Sequence, residues 1–182
     1  MPMEIYFVTG NQNKFEEAQS IIPTLQQIEI DLLEIQEMDA KLIIQEKLKE
    51  AFKHKQAGFI VEDTSLYLDC LNGLPGPLIK WFLKTIGNEG LAKIANKLGN
   101  ANATATTLIG YAKDISDIHY FEGSIKGTIT SPRTNGSFGW DPIFQPENST
   151  RTFAEMTKEE KNAISMRKIA FTKLKTFIES NP

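Results

Sequence analysis

The order of apolar and polar positions along the chain predicts alternating strands and helices. Short apolar runs at residues 5–8 and 59–61 are typical of buried strands. Between them, apolar residues recur at helical spacing over residues 14–22 and 40–55 and predict two helices. Residues 28–35 form either a second strand or an extended loop that ends near Glu34. The early order of strand, helix and strand favours an α/β fold.

The second half of the chain is predicted to combine neighbouring strands with further helices. Helical spacing of apolar residues covers 78–86 and 89–98, and the patterns at 103–112 and 118–130 are those of strands. Turn and loop residues dominate 131–146, and a long helix closes the chain. This region should therefore contribute a more antiparallel part to the sheet.

Composition narrows the class of protein. The chain has 182 residues, with 41% hydrophobic and 24% charged, as in an ordinary soluble protein that folds as one domain over 1–182. A net charge of −3 argues against binding to nucleic acid or to an anionic membrane. The N-terminus has no basic leader and no long apolar run, and Cys70 is the only cysteine. We expect a cytoplasmic protein whose affinity for phosphate, if any, is local.

The first candidate for chemistry is the turn at residues 9–14, between the first strand and the first helix. A turn that contains Gly10 and leads into a helix directs backbone N–H groups and the helix dipole at one point, which suits phosphate. Lys14 adds a formal positive charge. The pattern is not a Walker loop, and an ordinary polar turn would look the same.

The second candidate is the pair Glu62 and Asp63, predicted to lie at the end of the strand at 59–61. A carboxylate there can hold Mg²⁺ or take a proton from water. Adjacent strand residues point to opposite sides, so at most one of the two should face a given site. Glu34 could supply a second oxygen ligand. The alternative is that both carboxylates cap the following turn.

The third candidate is the loop at 138–142, where two aromatic residues flank Gly139 and precede Asp141. A ring to stack on and an acceptor for ring N–H groups would suit a planar heterocycle. Buried aromatic residues more often belong to a core, and that alternative stays open. The preceding loop-forming residues, 135–137, favour binding.

The fourth candidate is the C-terminal segment that carries Lys161 and Arg167. Thr157 and Glu160 have the spacing of a capping box, which predicts a helix that begins there and carries Arg167 about two turns beyond Lys161. Two cations on one stiff element can bind a multiply charged anion. The alternative is a solvated helix with basic residues on its outer face.

Taken together, these four blocks closely resemble the inosine triphosphate pyrophosphatase family, whose members act on deaminated purine nucleotides. The matching blocks are residues 9–14, 62–64 with 73–77, 138–142, and 154–167, in the family's order. The resemblance implies an elongated α/β domain of two lobes, with a central mixed β-sheet flanked by helices and an active-site cleft between the lobes. It also implies a homodimer that hydrolyses ITP, dITP and XTP with Mg²⁺ to the monophosphate and pyrophosphate.

The resemblance also implies a role for each matching residue. Asp63 would be the catalytic base and, with Glu34, a metal ligand, and Lys47 from the second helix would join the phosphate-binding turn. The residues implied to bind substrate are Thr9, Gly10, Asn11, Gln12, Asn13, Lys14, Lys47, Thr64, Phe138, Gly139, Trp140, Asp141, Lys161, Ser165, Met166 and Arg167.

Met166 is a departure from the family pattern, which has histidine between the matching serine and arginine. That histidine is expected to help bind the purine 6-keto oxygen, and methionine cannot donate a hydrogen bond. Losing such a donor costs about 1–3 kcal/mol, or roughly ten- to a hundredfold in preference. Two alternatives to the family activity therefore remain: a pyrophosphatase for another modified nucleotide, and a nucleotide-binding module without catalysis.

Overall fold

The structure is a computed structural model that describes residues 4–134 and 139–181. Over these residues the chain forms strands and α-helices in alternation in its first part, as the apolar pattern predicts. The elements in chain order are β1 (Ile5–Val8), α1 (Gln12–Ile21), β2 (Gln26–Ile28), α2 (Ala40–His54), β3 (Gly58–Leu68), β4 (Pro75–Gly76), α3 (Ile79–Thr85), α4 (Gly87–Lys97), β5 (Asn102–Asp114), β6 (Asp117–Ile129), β7 (Phe144–Pro146), α5 (Lys158–Ile164) and α6 (Met166–Ser180).

The strands form a mixed sheet in the order β2-β1-β3-β5-β6-β7, with β4 paired to β3. β1 runs parallel to both β2 and β3, as expected where helices connect the strands. β4 and β7 are antiparallel to their neighbours. The predicted α/β fold with a central mixed sheet flanked by helices is confirmed.

The described chain divides into two compact units. Unit 1 contains residues 4–63, 107–123 and 166–181, and unit 2 contains residues 64–106, 124–134 and 139–165.

Unit 1 buries helices against both faces of its strands. Along β1, Phe7 packs in a cluster with Phe15 of α1 and Phe171 of α6, whereas its neighbours Tyr6 and Val8 belong to a second cluster with Ile44 of α2. Consecutive strand residues point to opposite faces, so one strand serves both layers. The remaining strands alternate in the same way, with Ile60 and Ile109 facing α1 and α6, and Phe59, Val61 and Leu108 facing α2.

Three aromatic rings pack against one another in unit 2. The rings of Trp140, Phe144 and Phe153 lie with centroids 5.2–6.2 Å apart, and all three residues are buried. Such tilted and edge-to-face pairs add to the free energy gained by burying the rings. Leu91 and Ala95 form the buried face of α4.

Two sequence-based boundaries are wrong. β3 does not end near residue 61 but continues to Leu68, so Glu62 and Asp63 lie inside a strand and do not cap a turn. The C-terminal region is also not one helix: α5 ends at Ile164, Ser165 has extended backbone (φ −65°, ψ 150°), and α6 begins at Met166. Neither α5 nor α6, nor any other helix within the described residues, has the length and apolar content needed to cross a lipid bilayer.

Candidate active site

The turn between β1 and α1 is fixed by hydrogen bonds of its own residues. Asn11 is the N-cap of α1, and its side chain accepts a hydrogen bond from the backbone N–H of Lys14 at 3.1 Å. The Asn11 N–H donates to Thr9 Oγ1 at 3.1 Å, and Thr9 N–H donates to the carbonyl of Ile28. Gly10, Gln12 and Asn13 complete the turn and the first residues of α1. The predicted strand–turn–helix arrangement is confirmed, and Lys14 lies in the first turn of the helix.

Glu62 lies at the centre of a buried ion network in unit 1. Arg167 donates to both carboxylate oxygens of Glu62, at 2.8 and 3.0 Å, and Lys14 Nζ lies 2.8 Å from Oε1. Arg167 Nη1 also donates to Glu17 Oε2 at 2.9 Å. Glu17, Glu62 and Arg167 are each less than a tenth exposed. The network therefore connects α1, β3 and α6 through four formal charges.

The charges in this network shift the titration of their neighbours. Burial alone would raise the pKa of Glu62, but the charges of Arg167 and Lys14 and their hydrogen bonds outweigh it and hold that pKa far below its ordinary value. Burial would lower the pKa of Arg167, and Glu62 and Glu17 raise it instead. Glu62 is therefore ionised throughout the neutral range.

Asp63 faces the opposite side of β3, toward α2. Lys47 Nζ, on α2, lies 4.0 Å from Asp63 Oδ1 and 3.1 Å from Glu34 Oε1, and it donates to the backbone carbonyl of Glu62 at 3.0 Å. Strand alternation thus sends Glu62 to one helical layer and Asp63 to the other, as the sequence indicates. The Asp63 side chain is 13% exposed and that of Glu34 is 47% exposed.

Glu34 and Asp63 suit a hard divalent cation. Both carboxylates lie within 4.0 Å of one positive group, the Lys47 ammonium. Across residues 4–134 and 139–181, no three His, Cys, Asp or Glu side chains are grouped to hold a metal by themselves. Mg²⁺ typically takes one or two carboxylates and completes its shell with water and substrate phosphates, so two carboxylates fit it.

Unit 2 holds a second charged pair. Lys161, in α5, forms an ion pair with Asp141 Oδ2, and its Nζ lies 5.3 Å from the centre of the Phe153 ring. Asp141 is buried, and its backbone carbonyl accepts from the N–H of Ala154. The loop and the helix that were predicted to meet a base are therefore in direct contact with each other.

The ring of Trp140 lies in the core of unit 2, which was one of the two alternatives for this loop. The residue is 7% exposed and packs against Phe144 and Phe153, so the indole is part of the core of unit 2 and not an open stacking surface. Gly139, beside it, is exposed and has φ +58°, and within residues 4–134 and 139–181 no atom beyond its chain neighbours lies within 4 Å of the position that a Cβ would take. Phe138 lies outside the described residues.

The start of α5 is built as predicted. The Thr157 side chain accepts from the Glu160 N–H at 3.1 Å, and the Glu160 carboxylate accepts from the Thr157 N–H at 2.9 Å, which is a capping box. Arg151 adds a bidentate pair to Glu160, at 2.9 and 3.0 Å. This pair and the capping hydrogen bond lower the pKa of Glu160 to about 2. Lys161, the next residue, lies midway along this seven-residue helix.

The break between α5 and α6 separates two predicted site residues. Ser165 is buried in unit 2, whereas Met166 is buried in unit 1. A Cβ at Gly123 of β6 would collide with the carbonyl oxygen of Met166, so glycine there permits the close approach of the first turn of α6. Thr64, predicted to contact substrate, lies in β3 within unit 2.

Sequence reasoning missed Glu17 and gave Glu62 no separate role. Glu17 lies three positions after Lys14 in α1 and is one of the three buried residues of that helix, with Phe15 and Ala18. A glutamate next to the apolar stripe of a short helix was the available signal. Its partner Arg167 is 150 positions away, which local patterns do not reveal.

The fold and these contacts define a class: an α/β protein that groups cations and carboxylates around a strand–turn–helix suited to phosphate. The model of the Ham1 family matches residues 5–177. The inosine triphosphate pyrophosphatase of Candida glabrata is 42% identical over 188 residues, covering 97% of this chain and 98% of that protein. The chain therefore belongs to the Ham1 family.

Solved structures agree with this family. The Ham1 protein of Staphylococcus aureus has a TM-score of 0.82 at 27% identity, covering 98% of this chain and 100% of its own. A nucleoside-triphosphatase, also named dITP/XTP pyrophosphatase, from Mycobacterium abscessus has a TM-score of 0.71 at 26% identity, covering 94% and 98%. The resemblance to the inosine triphosphate pyrophosphatase family is confirmed.

Proposed function

We propose that this chain hydrolyses noncanonical purine nucleoside triphosphates, such as ITP, dITP and XTP, to the nucleoside monophosphate and pyrophosphate. The prediction of a hydrolase that acts on nucleoside triphosphates is supported by Ham1 membership and by curated relatives named inosine triphosphate pyrophosphatase. The Mycobacterium abscessus relative carries dITP and XTP in its name.

The charge balance of unit 1 is the observation that carries the proposal of metal dependence. Lys14, Lys47 and Arg167 are three formal cations, and within the described part of the chain they form ion pairs with four carboxylates, those of Glu17, Glu34, Glu62 and Asp63. The seven side chains therefore sum to one negative charge. A triphosphate brought to this group would meet no net positive charge, so a divalent cation supplies what the side chains lack.

Glu34 and Asp63 are the residues that would hold Mg²⁺. When bound, the ion would neutralise charge on the phosphate oxygens and on the leaving pyrophosphate. Lys14 and the backbone N–H groups at the start of α1 would bind phosphate oxygens, aided by the helix dipole. These residues act by positioning the chain of phosphates and by stabilising negative charge.

Asp63 is the group we propose as general base. It would take a proton from the water that attacks the α-phosphorus, while the bond from that phosphorus to the bridging oxygen breaks and pyrophosphate leaves. Asp63 is partly exposed, and Lys47 Nζ lies 4.0 Å from its Oδ1. Glu62, by contrast, is fully engaged with Arg167 and Lys14, so it is not a candidate for accepting this proton.

Unit 2, taken by itself, offers groups that suit the edge of a purine ring. The backbone at Gly139, the Asp141 carboxylate and the Lys161 ammonium offer an acceptor and donors for the edge of a purine. Because Asp141 and Lys161 already form an ion pair, each is oriented before a substrate arrives.

Measuring pyrophosphate release from ITP with Mg²⁺ tests both the proposed activity and the role of Asp63 as general base. Asp63→Asn should lower kcat by about 10²–10⁴-fold, the usual contribution of a general base, while substrate still binds. Asp117→Asn is the matched control, because the Asp117 side chain is 75% exposed and forms an ion pair with His119 at the surface. Near-normal turnover by Asp63→Asn would exclude Asp63 as the base.

The methionine at position 166 favours a second candidate, a pyrophosphatase for another modified nucleotide. Rates compared across ITP, XTP, dITP, dUTP and the standard triphosphates distinguish the two. Met166→His should raise the preference for 6-keto purines by roughly ten- to a hundredfold if the lost donor matters. If the relative hydrolysis rates of these nucleotides are the same in that variant, the residue at position 166 does not determine specificity.

Two further expectations remain proposals. The homodimer and the cytoplasmic location are implied by family resemblance and by composition. Sedimentation at micromolar concentration would test the first, and fractionation of cells would test the second.

A further inference from the structure

The Lys47 ammonium is a buried cation with an unusual set of oxygen partners. Its Nζ donates to the backbone carbonyl of Glu62 at 3.0 Å and lies 3.1 Å from Glu34 and 4.0 Å from Asp63. The side chain is 9% exposed. A single positive charge thus lies against the two carboxylates that the proposed function gives to a divalent cation.

We propose that Lys47 is an internal cation that competes with the divalent ion for Glu34 and Asp63 and so lowers the affinity of the nucleotide-free protein for metal. This inference rests on the proposed function for the identity of the two ligands. It adds a second role to a residue expected to bind phosphate: before substrate binds, Lys47 holds the two carboxylates together and compensates their charge.

The sign of the effect follows from charge alone. A divalent cation bound to either carboxylate would be repelled by an ammonium held within 4.0 Å of both. Lys47 is anchored by the Glu62 carbonyl, a backbone group of a central strand, so it does not simply move into solvent. Removing this positive charge should therefore strengthen metal binding, whereas removing a ligand would weaken it.

Binding of a phosphate chain would weaken the competition between Lys47 and the divalent ion for Glu34 and Asp63. An ammonium that gains phosphate oxygens as partners gives up part of its contact with Glu34, whose side chain is the more exposed of the two carboxylates. Metal and phosphate should then each strengthen the binding of the other, and this coupling must be reciprocal. Lys47 is the residue through which this coupling would pass.

Mn²⁺ titration of the protein without nucleotide, followed by calorimetry or by the electron paramagnetic resonance of free Mn²⁺, tests the proposal. Lys47→Met should bind Mn²⁺ about tenfold or more tightly than the unchanged protein. Lys47→Arg, which keeps the charge, should not. Lys49→Met is the matched control, because Lys49 lies on the same helix, is 54% exposed and pairs with Glu46. Equal or weaker Mn²⁺ binding by a folded Lys47→Met protein overturns the proposal.

The coupling gives a second comparison with the same proteins. Pyrophosphate should increase the Mn²⁺ affinity of the unchanged protein, beyond the binding of Mn²⁺ to pyrophosphate itself, and the increase should shrink in Lys47→Met. An increase of the same size in both proteins would show that Lys47 does not carry the coupling.

A measurement on the unchanged protein covers the case in which Lys47→Met fails to fold. The ¹⁵N-detected lysine ammonium signals should report Mg²⁺ binding through Lys47, with the signal of Lys49 as an internal reference. Saturating Mg²⁺ that leaves the Lys47 signal in place would overturn the inference. The proposed function fails separately, by absence of pyrophosphate release from the unchanged protein, so the two results are independent.

Discussion

Replacing Glu62 with glutamine tests the buried ion network of unit 1 at its centre. Glu62 accepts two hydrogen bonds from Arg167 and forms an ion pair with Lys14. Glutamine offers one acceptor oxygen and turns an NH₂ group toward a cation, either the buried Arg167 or the partly exposed Lys14. Removing one side of a buried ion pair costs about 3–5 kcal/mol, and because Arg167 keeps Glu17, we expect a loss of about 3 kcal/mol.

This loss should be visible in thermal and urea unfolding followed by circular dichroism. For a chain of this length, 1 kcal/mol corresponds to about 2–4 °C, so the midpoint should fall by about 6–12 °C. Glu46→Gln is the matched control, since the Glu46 side chain is 40% exposed and its pair with Lys49 is worth under about 0.5 kcal/mol. A Glu62→Gln loss no larger than that of the control would refute the network as a source of stability.

Two further predictions concern the stability of the protein at low pH and the N-cap of α5. Since burial, which would raise the pKa of Glu62, is outweighed by Arg167 and Lys14, the lowered pKa contributes stability above about pH 4.5 that is lost as the pH falls. Urea titrations between pH 3 and 7 should show a steeper fall in the free energy of unfolding for the unchanged protein than for Glu62→Gln; parallel curves would contradict this. Thr157→Ala should lower the free energy of unfolding in urea by about 1 kcal/mol, because the N-cap hydrogen bond is lost. Thr157→Ser keeps the hydroxyl and should retain most of that stability. Equal losses in the two variants would show that the hydroxyl is not the cause.

The region around Glu62 shows how far the sequence could lead. The apolar run at 59–61 located the strand, and the period of two predicted that Glu62 and Asp63 face opposite sides, as they do. The length of β3 was underestimated because polar residues usually end a buried strand. Here Glu62 stays in the strand because its charge is met by Arg167, 105 positions later, and no local pattern reveals such a partner.

The C-terminal helices show a different limit. Thr157 and Glu160 predicted the start of α5 because a capping box is a local motif. The end of α5 has no glycine or proline to mark it, and helical spacing alone favoured one helix through Arg167. Its position follows instead from packing, with Ser165 and Met166 both buried and on different units. The packing of Trp140 shows the same limit, since the loop residues around it gave no sign of Phe144 and Phe153 as its neighbours.

The ion network between β3, α1 and α6 is not accounted for by stability alone. Apolar side chains of similar volume often serve as well as buried ion pairs or better, and the same three elements pack through Ile60, Phe15 and Phe171 in the adjoining core. Of the cations bound to Glu62, Lys14 is the more exposed, at 27% of its side chain, so the network directs an ammonium toward solvent beside the first turn of α1. If positioning is its purpose, Glu62→Gln should raise KM for the triphosphate well below its unfolding temperature. A variant that only loses stability would keep its KM.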